Sequence, residues 1–353
     1  MIEIQKIDTS SKGQVNQFVQ FHYDLYAGHE QWVPPFRSDI ATMLNRKKHP
    51  FYEHSDADFF VARRGKEIVG RIGVLENKAF NRYHETKKAN FYLFDSVDDQ
   101  EVADSLFDTA FDWSEKRGLD TMVGPKGFSL FDGYGILVEG FEYRQMMTMM
   151  NYNYPYYPKL METLGFEKEV DFVSCYLAKD NFRIPDKARE VAVRVAERGK
   201  FKVINFANKR QLINYAKRIG EAYNKTFVKN WEYWPMTERE IQYIVDTIMI
   251  IAIPKLIKLI SYNDEVVGFL FGFPDISKAL QRHNGRLNPI SIADIFLDLN
   301  RTNVISLNGA GVLPEFHGRG GNALMYYEME KTLLESKYQH GELTQVAETA
   351  VQM

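Results

Sequence analysis

The alternation of apolar and polar residues predicts the same hairpin twice along the chain. In the first half, DFFVARRGKEIVGRIGV (Asp58 to Val74) has two runs rich in β-branched and aromatic residues, joined by a polar turn with glycine. In the second half, KLIKLISYNDEVVGFLFGF (Lys255 to Phe273) has the same pattern. The turns align so that Gly70 matches Gly268. Glycine inside a strand indicates that another backbone or a ligand comes close.

The segments that flank the two hairpins follow the same order. Upstream of each hairpin lies a helical stretch that ends in a loop with tryptophan and proline, in the segments that begin at Phe18 and Ala216. Downstream, after an insertion, each half has a strand-like run and then a long helix. We predict these elements at Ala89 to Asp95 and Glu101 to Arg117 in the first half, and at Asn303 to Val312 and Asn322 to Lys337 in the second.

This order, β-α-α-β-β-β-α, occurs twice and predicts two copies of one mixed α/β domain. The boundary is expected between Ala178 and Ala192, which gives domains at 1–180 and 190–353. The first domain then ends with the strand-like segment DFVSCYLA. By the same pattern, the second domain lacks a helix and one or two strands after GELTQVA, so we expect its C-terminal strands to be missing from this chain.

Composition excludes several classes of protein. With 45% apolar and 14% aromatic residues among 353, the chain can form packed cores and is unlike a disordered protein. The net charge of −3 gives no electrostatic reason to expect nucleic acid or an anionic membrane as a partner. We therefore expect a cytoplasmic protein with a small-molecule substrate, and the oligomeric state is left open.

Two further features of the sequence concern a membrane span and the chemistry of cysteine. The most apolar segment, from Ile244, is interrupted by Asp246, Pro254 and lysines, so it cannot span a bilayer. The single cysteine, Cys175, excludes an internal disulfide and a cysteine metal cluster, and we expect a buried structural thiol. No metal site is predicted.

A glycine-rich turn, GVLPEFHGRGGNALM from Gly311 to Met325, separates a predicted strand from a predicted helix. The start of a helix exposes unpaired N–H groups and the positive end of the helix dipole, which attract phosphate. Glycines allow the positive φ angles that point successive N–H groups inward. The alternative is a flexible strand-to-helix connection. Asn322 is the predicted N-cap, and Arg319 adds a cation beside the turn.

This segment resembles the pyrophosphate-binding motif of the GNAT superfamily of acetyl-CoA-dependent acyltransferases, Val-x-Pro-x-x-Gln/Arg-Gly-x-Gly-x-Gly/Ala. Val312, Pro314, Gly318 and Gly320 occupy the positions that the motif requires, whereas His317 replaces the usual Gln or Arg. The order of elements is also that of the GNAT fold. The resemblance covers both halves and implies an α/β (α+β) chain of two tandem GNAT-like domains, each a mixed, mostly antiparallel twisted sheet flanked by helices.

The resemblance implies that the second copy binds acetyl-CoA, or another acyl-CoA, and transfers the acyl group to an amine of a small or amino-acid-like acceptor. The residues expected to hold the cofactor are Val312, His317, Gly318, Arg319, Gly320, Gly321, Asn322 and Ala323.

The first copy lacks this motif. Its corresponding turn has no glycine and carries Asp95, Asp98, Asp99 and Glu101, which cap a helix well and would repel a pyrophosphate. Met161 stands where the family's closing segment has a tyrosine. We therefore expect the first copy to be a scaffold or a wall of the substrate site.

Candidate bases for acyl transfer are Glu348 and Glu342 near the last strand, although both also fit solvated surface glutamates. Asn308 could orient the substrate or simply be satisfied by neighbouring groups. The acceptor is expected over the first two helices, beside Phe227, Trp231, Tyr233 and Trp234. These aromatic residues either line a pocket or pack the loop onto the partner domain, and NYNYPYYPKL (Asn151 to Leu160) is expected at the interface between the domains.

Three functions are consistent with the sequence. The first is an N-acetyltransferase of the GNAT type. The second is a catalytically silent module that binds CoA, as the substitutions at His317, Asn322 and Thr349 suggest. The third is a tandem-GNAT transferase that uses aminoacyl-tRNA, for which a missing glycine turn and basic surfaces would be typical.

Overall fold

Two mixed β-sheets, each with its own helices, divide the chain into two units. The structure, a computed structural model, describes residues 1–147, 150–181, 183–228 and 230–349. The first unit comprises Met1–Asp171 and Ser277–Phe296, and the second comprises Phe172–Ile276 and Leu297–Met353.

The first unit is built on a five-stranded sheet in the order β1-β2-β3-β4-β5. All neighbours are antiparallel except β4 and β5, which are parallel. Its strands and helices are β1 (Glu3–Lys6), α1 (Lys12–Leu25), α2 (Arg37–Met43), β2 (Asp56–Arg64), β3 (Glu67–Glu76), α3 (Lys78–His84), β4 (Lys88–Ser96), α4 (Gln100–Glu115), β5 (Thr121–Val123) and α5 (Tyr157–Thr163).

Apolar side chains cover both faces of this sheet. One core lies under α4, whose buried residues recur every three to four positions, and a second lies under α1. The middle of β3 is buried throughout because helices cover it on both faces. A Cβ atom on Gly70 would lie 2.8 Å from the side chains of Val102 and Leu106 on α4. The predicted close approach at Gly70 is therefore that of a packed helix.

The second unit is built on a six-stranded sheet in the order β6-β11-β10-β9-β8-β7, and β10 and β11 are parallel. The elements from residue 172 onward are β6 (Phe172–Ala178), α6 (Asp186–Glu197), β7 (Phe201–Ile204), α7 (Lys209–Asn214), α8 (Ala216–Thr226), α9 (Glu238–Ile248), β8 (Ile257–Tyr262), β9 (Glu265–Pro274), α10 (Ser277–His283), α11 (Pro289–Arg301), β10 (Val304–Val312), α12 (Gly321–Leu334) and β11 (His340–Ala347). Of these, α10 and most of α11 belong to the first unit.

The duplication is visible in the strand register. Gly70 is paired with Ser96 in the first sheet, and Gly268 is paired with Val312 in the second. The strands that carry these partners, β4 and β10, each have a residue with positive φ three positions earlier. This residue is Leu93 (51°), before Ser96, in the first copy and Gly309 (73°), before Val312, in the second. At both places the strand has an extra residue relative to its neighbour, which is a β-bulge. The predicted order of elements is confirmed in both copies.

One strand differs from its predicted place. We assigned DFVSCYLA to the end of the first domain, but β6 pairs with β11 in the second sheet, from His340 opposite Ala178 to Ala347 opposite Phe172. The division between the units therefore falls after Asp171. β6 pairs with the side of β11 that faces away from β10. Whether further strands follow Met353 stays a prediction.

Two other expectations can be compared with the structure. Cys175 lies on β6 and is exposed, so the prediction of a buried thiol is wrong. Among the described residues, no helix is both long and apolar enough to cross a bilayer.

Candidate functional site

The fourth strand of the second copy, β10, bends where the candidate site begins. Asn308 lies opposite Phe271 and Ala310 lies opposite Leu270, so Gly309 is the extra residue of the bulge. A bulge increases the local twist and turns backbone groups out of the regular ladder.

Just before this bulge, β10 separates from its parallel neighbour β11. Their pairing runs from Val304 opposite His340 to Leu307 opposite Leu343 and then stops, although both strands continue. The strand β11 has its own irregularity between Leu343 and Val346, where Gln345 has a φ of 55°. A gap between two diverging strands therefore starts beyond Leu307.

Two buried polar atoms lie on β11 immediately after the last pair. Within the part of the chain that the structure describes, Thr344 Oγ1 and Gln345 Oε1 have no hydrogen-bond partner. Buried polar atoms are almost always paired in folded proteins, so two unpaired ones beside a gap are available to a bound polar group or to water. Nothing in the sequence marked these residues as part of the site.

The glycine turn connects the end of β10 to α12. After a short 3-10 turn at Pro314–Phe316, the backbone takes positive φ at Gly318 (70°) and Gly320 (84°), as the glycines predicted. The helix starts at Gly321 and its N-cap is Gly320, which makes no side-chain cap. Asn322 is therefore not the N-cap; its Oδ1 instead accepts a hydrogen bond from the N–H of Ala323 at 2.9 Å.

At the start of α12, several backbone N–H groups make no hydrogen bond among the described residues. Among the described residues, no acceptor is found for the N–H groups of Gly318, Gly320, Gly321 and Asn322. Such groups together with the helix dipole form an anion-binding site. Arg319 is exposed, with its guanidinium 5.2 Å from the Phe316 ring, and is available to an anion.

The other predicted cofactor residues support the turn from the protein side. Val312 is buried, and its carbonyl oxygen lies 2.8 Å from His317 Nε2, which ties the turn to the strand. A Cβ atom on Gly320 would lie 2.7 Å from Val195 and 2.8 Å from Val191, both on α6. Glycine is needed at this position both for its φ angle and for the space that α6 leaves.

Two of the three predicted catalytic residues, Asn308 and Glu342, share a face of the sheet, and the third, Glu348, lies apart from them. Ser306 is opposite Glu342, and residues paired across strands share a face, so Ser306, Asn308 and Glu342 lie on one face of the sheet. Asn308 is buried, and its Oδ1 accepts a hydrogen bond from Ser306 Oγ. Glu348 lies in an exposed turn after β11. Ser306 was missed because a serine in a strand carries no signal by itself.

The four predicted acceptor residues also separate into two groups. Tyr233 and Trp234 are fully buried, and Tyr233 OH donates to the carbonyl oxygen of Asn224 at 2.5 Å, so these two pack the interior. Phe227 and Trp231 are half-buried. A Cβ atom on Gly311 would lie 3.3 Å from the Phe227 ring, which places this ring directly over β10.

The corresponding place in the first unit is closed. From Val97 the chain needs only Asp98 and Asp99 to reach α4, and Asp99 Oδ1 caps this helix by accepting from the N–H of Glu101 at 3.0 Å. Ser96, the counterpart of Val312, accepts a hydrogen bond from Tyr156 OH at 2.6 Å and donates its N–H to Tyr157 OH at 3.0 Å. These tyrosines, which we expected at an interface between domains, pack within the first unit.

A buried charged group lies beside this strand end in the first unit. The sequence suggested that Asp95 lies in the turn, but it lies on β4. Its Oδ2 is 2.6 Å from Arg71 Nε and 2.9 Å from His22 Nδ1. Burial lowers the pKa of His22 below its ordinary value of 6.5 and outweighs the attraction of Asp95. In the second sheet, the register places Gly311 and Phe269 where the first has Asp95 and Arg71.

Comparison with known proteins supports the architecture. No known protein-family model matches the chain. The structure is similar to a tandem GNAT protein from the clavulanic acid biosynthesis pathway, with 12% identity, coverage of 99% of this chain and 91% of that chain, and a TM-score of 0.54. It is also similar to the glucosamine N-acetyltransferase region of a fungal multi-domain β-N-acetylglucosaminidase, with 11% identity, coverage of 98% and 35%, and a TM-score of 0.54.

Two relatives share more of the sequence. Protein YghO of Escherichia coli (strain K12) is 25% identical over 297 residues, which are 83% of this chain and 74% of that protein. A bacterial ceramide synthase of Caulobacter vibrioides (strain NA1000 / CB15N) is 25% identical over 296 residues, 83% of this chain and 76% of that protein. The chain has the tandem GNAT fold, and the predicted resemblance is confirmed at the level of the fold.

Proposed function

We propose that the second unit transfers an acyl group from a CoA thioester to an amine. The observation that carries the proposal is the start of α12, where backbone N–H groups without acceptors follow a bulged strand that diverges from its neighbour. An anion site at one end of an open strand edge suits a ligand with a pyrophosphate and a long polar arm.

The residues at this place fit CoA in charge and shape. The pyrophosphate would be held by the guanidinium of Arg319 and by the N–H groups of Gly318, Gly320, Gly321 and Asn322. The free edge of β10 and the unpaired atoms of Thr344 and Gln345 would bind the amide groups of the pantetheine arm. When bound, CoA supplies a thioester carbonyl that an amine can attack.

The polar face beside the bulge would orient the acceptor amine and remove its proton. Glu342 lies on β11 beside Ser306, and a carboxylate there can take the proton that an attacking ammonium must lose, directly or through water. Asn308 and Ser306 form a hydrogen-bonded pair that would orient the amine. Glu348 is a weaker candidate because it lies in an exposed turn beyond the strand.

The acceptor that the residues favour is an amine with an apolar portion. Phe227 lies over β10, and Phe271 lies opposite Asn308, so aromatic surface adjoins the polar face. The relative named as a bacterial ceramide synthase agrees with this, since a ceramide is the amide of a fatty acid with a long-chain amine. We therefore extend the expected acceptors from small amines to long-chain amines, and the donors from acetyl-CoA to longer acyl-CoA.

Calorimetric titration with free CoA tests the binding step without depending on the acyl chain. We expect one equivalent to bind with a Kd in the micromolar range, about −8 kcal/mol. Arg319→Glu should weaken binding about 10- to 100-fold, because it replaces a charge-assisted donor with a repelling carboxylate. Arg210→Glu is the matched control, an exposed arginine on α7 whose reversal should leave the Kd unchanged.

Turnover separates the three functions. Formation of an amide from acyl-CoA and a panel of short- and long-chain amines supports the transferase. CoA binding without turnover on any amine would favour the silent module. If CoA did not bind, the turn would be only a connection, and aminoacyl-tRNA would be the donor to test next.

A further inference from the structure

Helix α11 presents several large apolar side chains outward. Five large apolar residues within this helix and the turn before it are exposed, and Ile290 is 75% exposed. We call them the apolar α11 surface: Leu287, Ile290, Ile292, Phe296 and Leu297. Soluble proteins rarely expose so many large apolar side chains in so short a segment, and such patches mark sites of interaction.

Two polar residues of this helix are engaged within the fold. Ser291 is buried, and its Oγ donates to the carbonyl oxygen of Asn288 at 2.9 Å. Asp294 is held by Arg282 Nε at 2.8 Å and by His283 Nε2 at 2.9 Å. The buried side of the helix is narrow, with Ser291 and Ile295, so most of its large apolar residues lie outside it.

The segment is also anchored to the first unit by hydrogen bonds. Gln281 Nε2 donates to the carbonyl oxygens of Glu30 and Trp32, at 2.8 and 2.9 Å. The N–H of Arg37 donates to the carbonyl oxygen of Gly285 at 3.0 Å. The apolar α11 surface is therefore displayed from a fixed position.

Charge distinguishes the partners that could cover this surface. Within the segment 277–301, which includes all of α11, there are four Lys/Arg residues and two Asp. Asp294 is already engaged by Arg282 and His283. Lys278 on α10 and Arg286 next to Leu287 are exposed, so the segment combines exposed apolar side chains with an excess of positive charge.

Area alone does not distinguish a second copy of the chain from a bilayer as the partner. Five side chains that each expose on the order of 100 Å² provide about 500 Å² of apolar surface, which is roughly the apolar share of a protein interface of 800 Å² per partner. Charge favours the bilayer, because a second copy would bring two surfaces with an excess of positive charge together. An apolar helix face flanked by cations is instead typical of helices that lie in the interface of an anionic bilayer.

We propose that the apolar α11 surface binds the face of a lipid bilayer that contains anionic headgroups. Ile290 and its neighbours enter the interface, while Lys278 and Arg286 contact the headgroups. The net charge of the whole chain suggested no membrane partner; the local positive charge and the exposed apolar side chains lead to the opposite expectation. The proposal is independent of the proposed function, although a long-chain amine would be met at such a surface.

Co-sedimentation of the full chain with vesicles tests the proposal without CoA. The vesicles contain phosphatidylcholine alone or phosphatidylcholine mixed with phosphatidylglycerol. We expect the wild-type chain to bind the mixed vesicles preferentially. Ile290→Ser should weaken this binding about tenfold or more, because the most exposed isoleucine no longer enters the interface. Arg286→Gln should weaken binding to the mixed vesicles about fivefold and leave binding to phosphatidylcholine unchanged.

Ile213→Ser is the matched control, an isoleucine on α7 that is 45% exposed and lies outside the surface. A second readout is the Ile290→Trp variant, whose fluorescence should shift to the blue when vesicles are added. The proposal is overturned if the wild type does not sediment with mixed vesicles, or if Ile213→Ser weakens binding as much as Ile290→Ser. It is also overturned if light scattering shows a dimer that Ile290→Ser dissociates, because the surface would then join two copies.

Discussion

The two copies of the repeat differ most at the start of the helix that follows the fourth strand. In the first unit, only Asp98 and Asp99 lie between Val97 and the start of α4, and the carboxylate of Asp99 accepts a hydrogen bond at its N-terminus. In the second, five more residues precede α12, its N-cap is Gly320, and its first N–H groups have no acceptor among the described residues.

This difference shows how one fold can keep or lose a binding site by local changes. The strand, its bulge and its paired glycine are the same in both copies. What distinguishes them is the length of the turn and whether the helix start is capped by the protein. A capped helix start gains stability, whereas an uncapped one retains donors for a ligand.

The largest expected effect concerns the buried cluster of Asp95, Arg71 and His22 in the first unit. Asp95→Ala leaves Arg71 buried without its carboxylate and should lower the free energy of unfolding by about 3–5 kcal/mol, as measured by urea denaturation. The affinity of the second unit for CoA should not change. If the variant were as stable as the wild type, this group would not stabilise the first unit.

Gly320→Ala tests whether glycine is required at the start of α12. The methyl group would meet two valines at 2.7 and 2.8 Å on a residue with a φ of 84°, so we expect a loss of about 2–4 kcal/mol. Gly318→Ala is the matched control, because its φ is 70° but no atom lies within 4 Å of the added Cβ. It should cost only about 1–2 kcal/mol, and equal losses would mean that the packing of α6 is unimportant.

Asp99→Ala removes the cap of α4 and should cost about 1 kcal/mol, measured by the same denaturation. Asn322→Ala, at the uncapped helix start, should change stability by a few tenths of a kcal/mol, since Asn322 makes no cap. Equal effects would show that the two helix starts are not distinguished by capping.

The smallest expected effect is a dependence on pH. Because the pKa of His22 is lower in the folded than in the unfolded chain, the unfolded chain binds the extra proton first as the pH falls through 6.5, and stability decreases. In His22→Gln this contribution is absent. The difference in melting temperature between variant and wild type should therefore be smaller at pH 5.5 than at pH 7.5, and a larger difference would contradict the lowered pKa.

The features that were predictable from sequence are local ones. The hairpins, the matched Gly70 and Gly268 and the glycine turn follow from periodicity and from residues that tolerate positive φ. The bulge at Gly309 could also have been predicted, since a glycine inside a strand pattern is a signal for one.

The features that were not predictable depend on contacts between distant parts of the chain. The place of β6 beside β11 is a pairing across the whole second half, which no local pattern encodes. The unpaired atoms of Thr344 and Gln345 arise only because two strands diverge. Likewise, Tyr233 and Trp234 look like pocket residues in the sequence, and only tertiary packing shows that they are interior.

The pairing of β6 with β11 has a consequence for the order of folding during synthesis. About 160 residues separate Ala178 from His340, so the ribosome releases β6 roughly 8–30 s before its partner strand at typical elongation rates. During that interval β6 has no partner strand, and its unpaired edge can pair incorrectly with other strands. The sequence of β6, FVSCYLA, is largely apolar, but the strand is only seven residues long and the charged residues Glu167, Lys168, Glu169 and Asp171 directly precede it, which disfavours pairing with other strands.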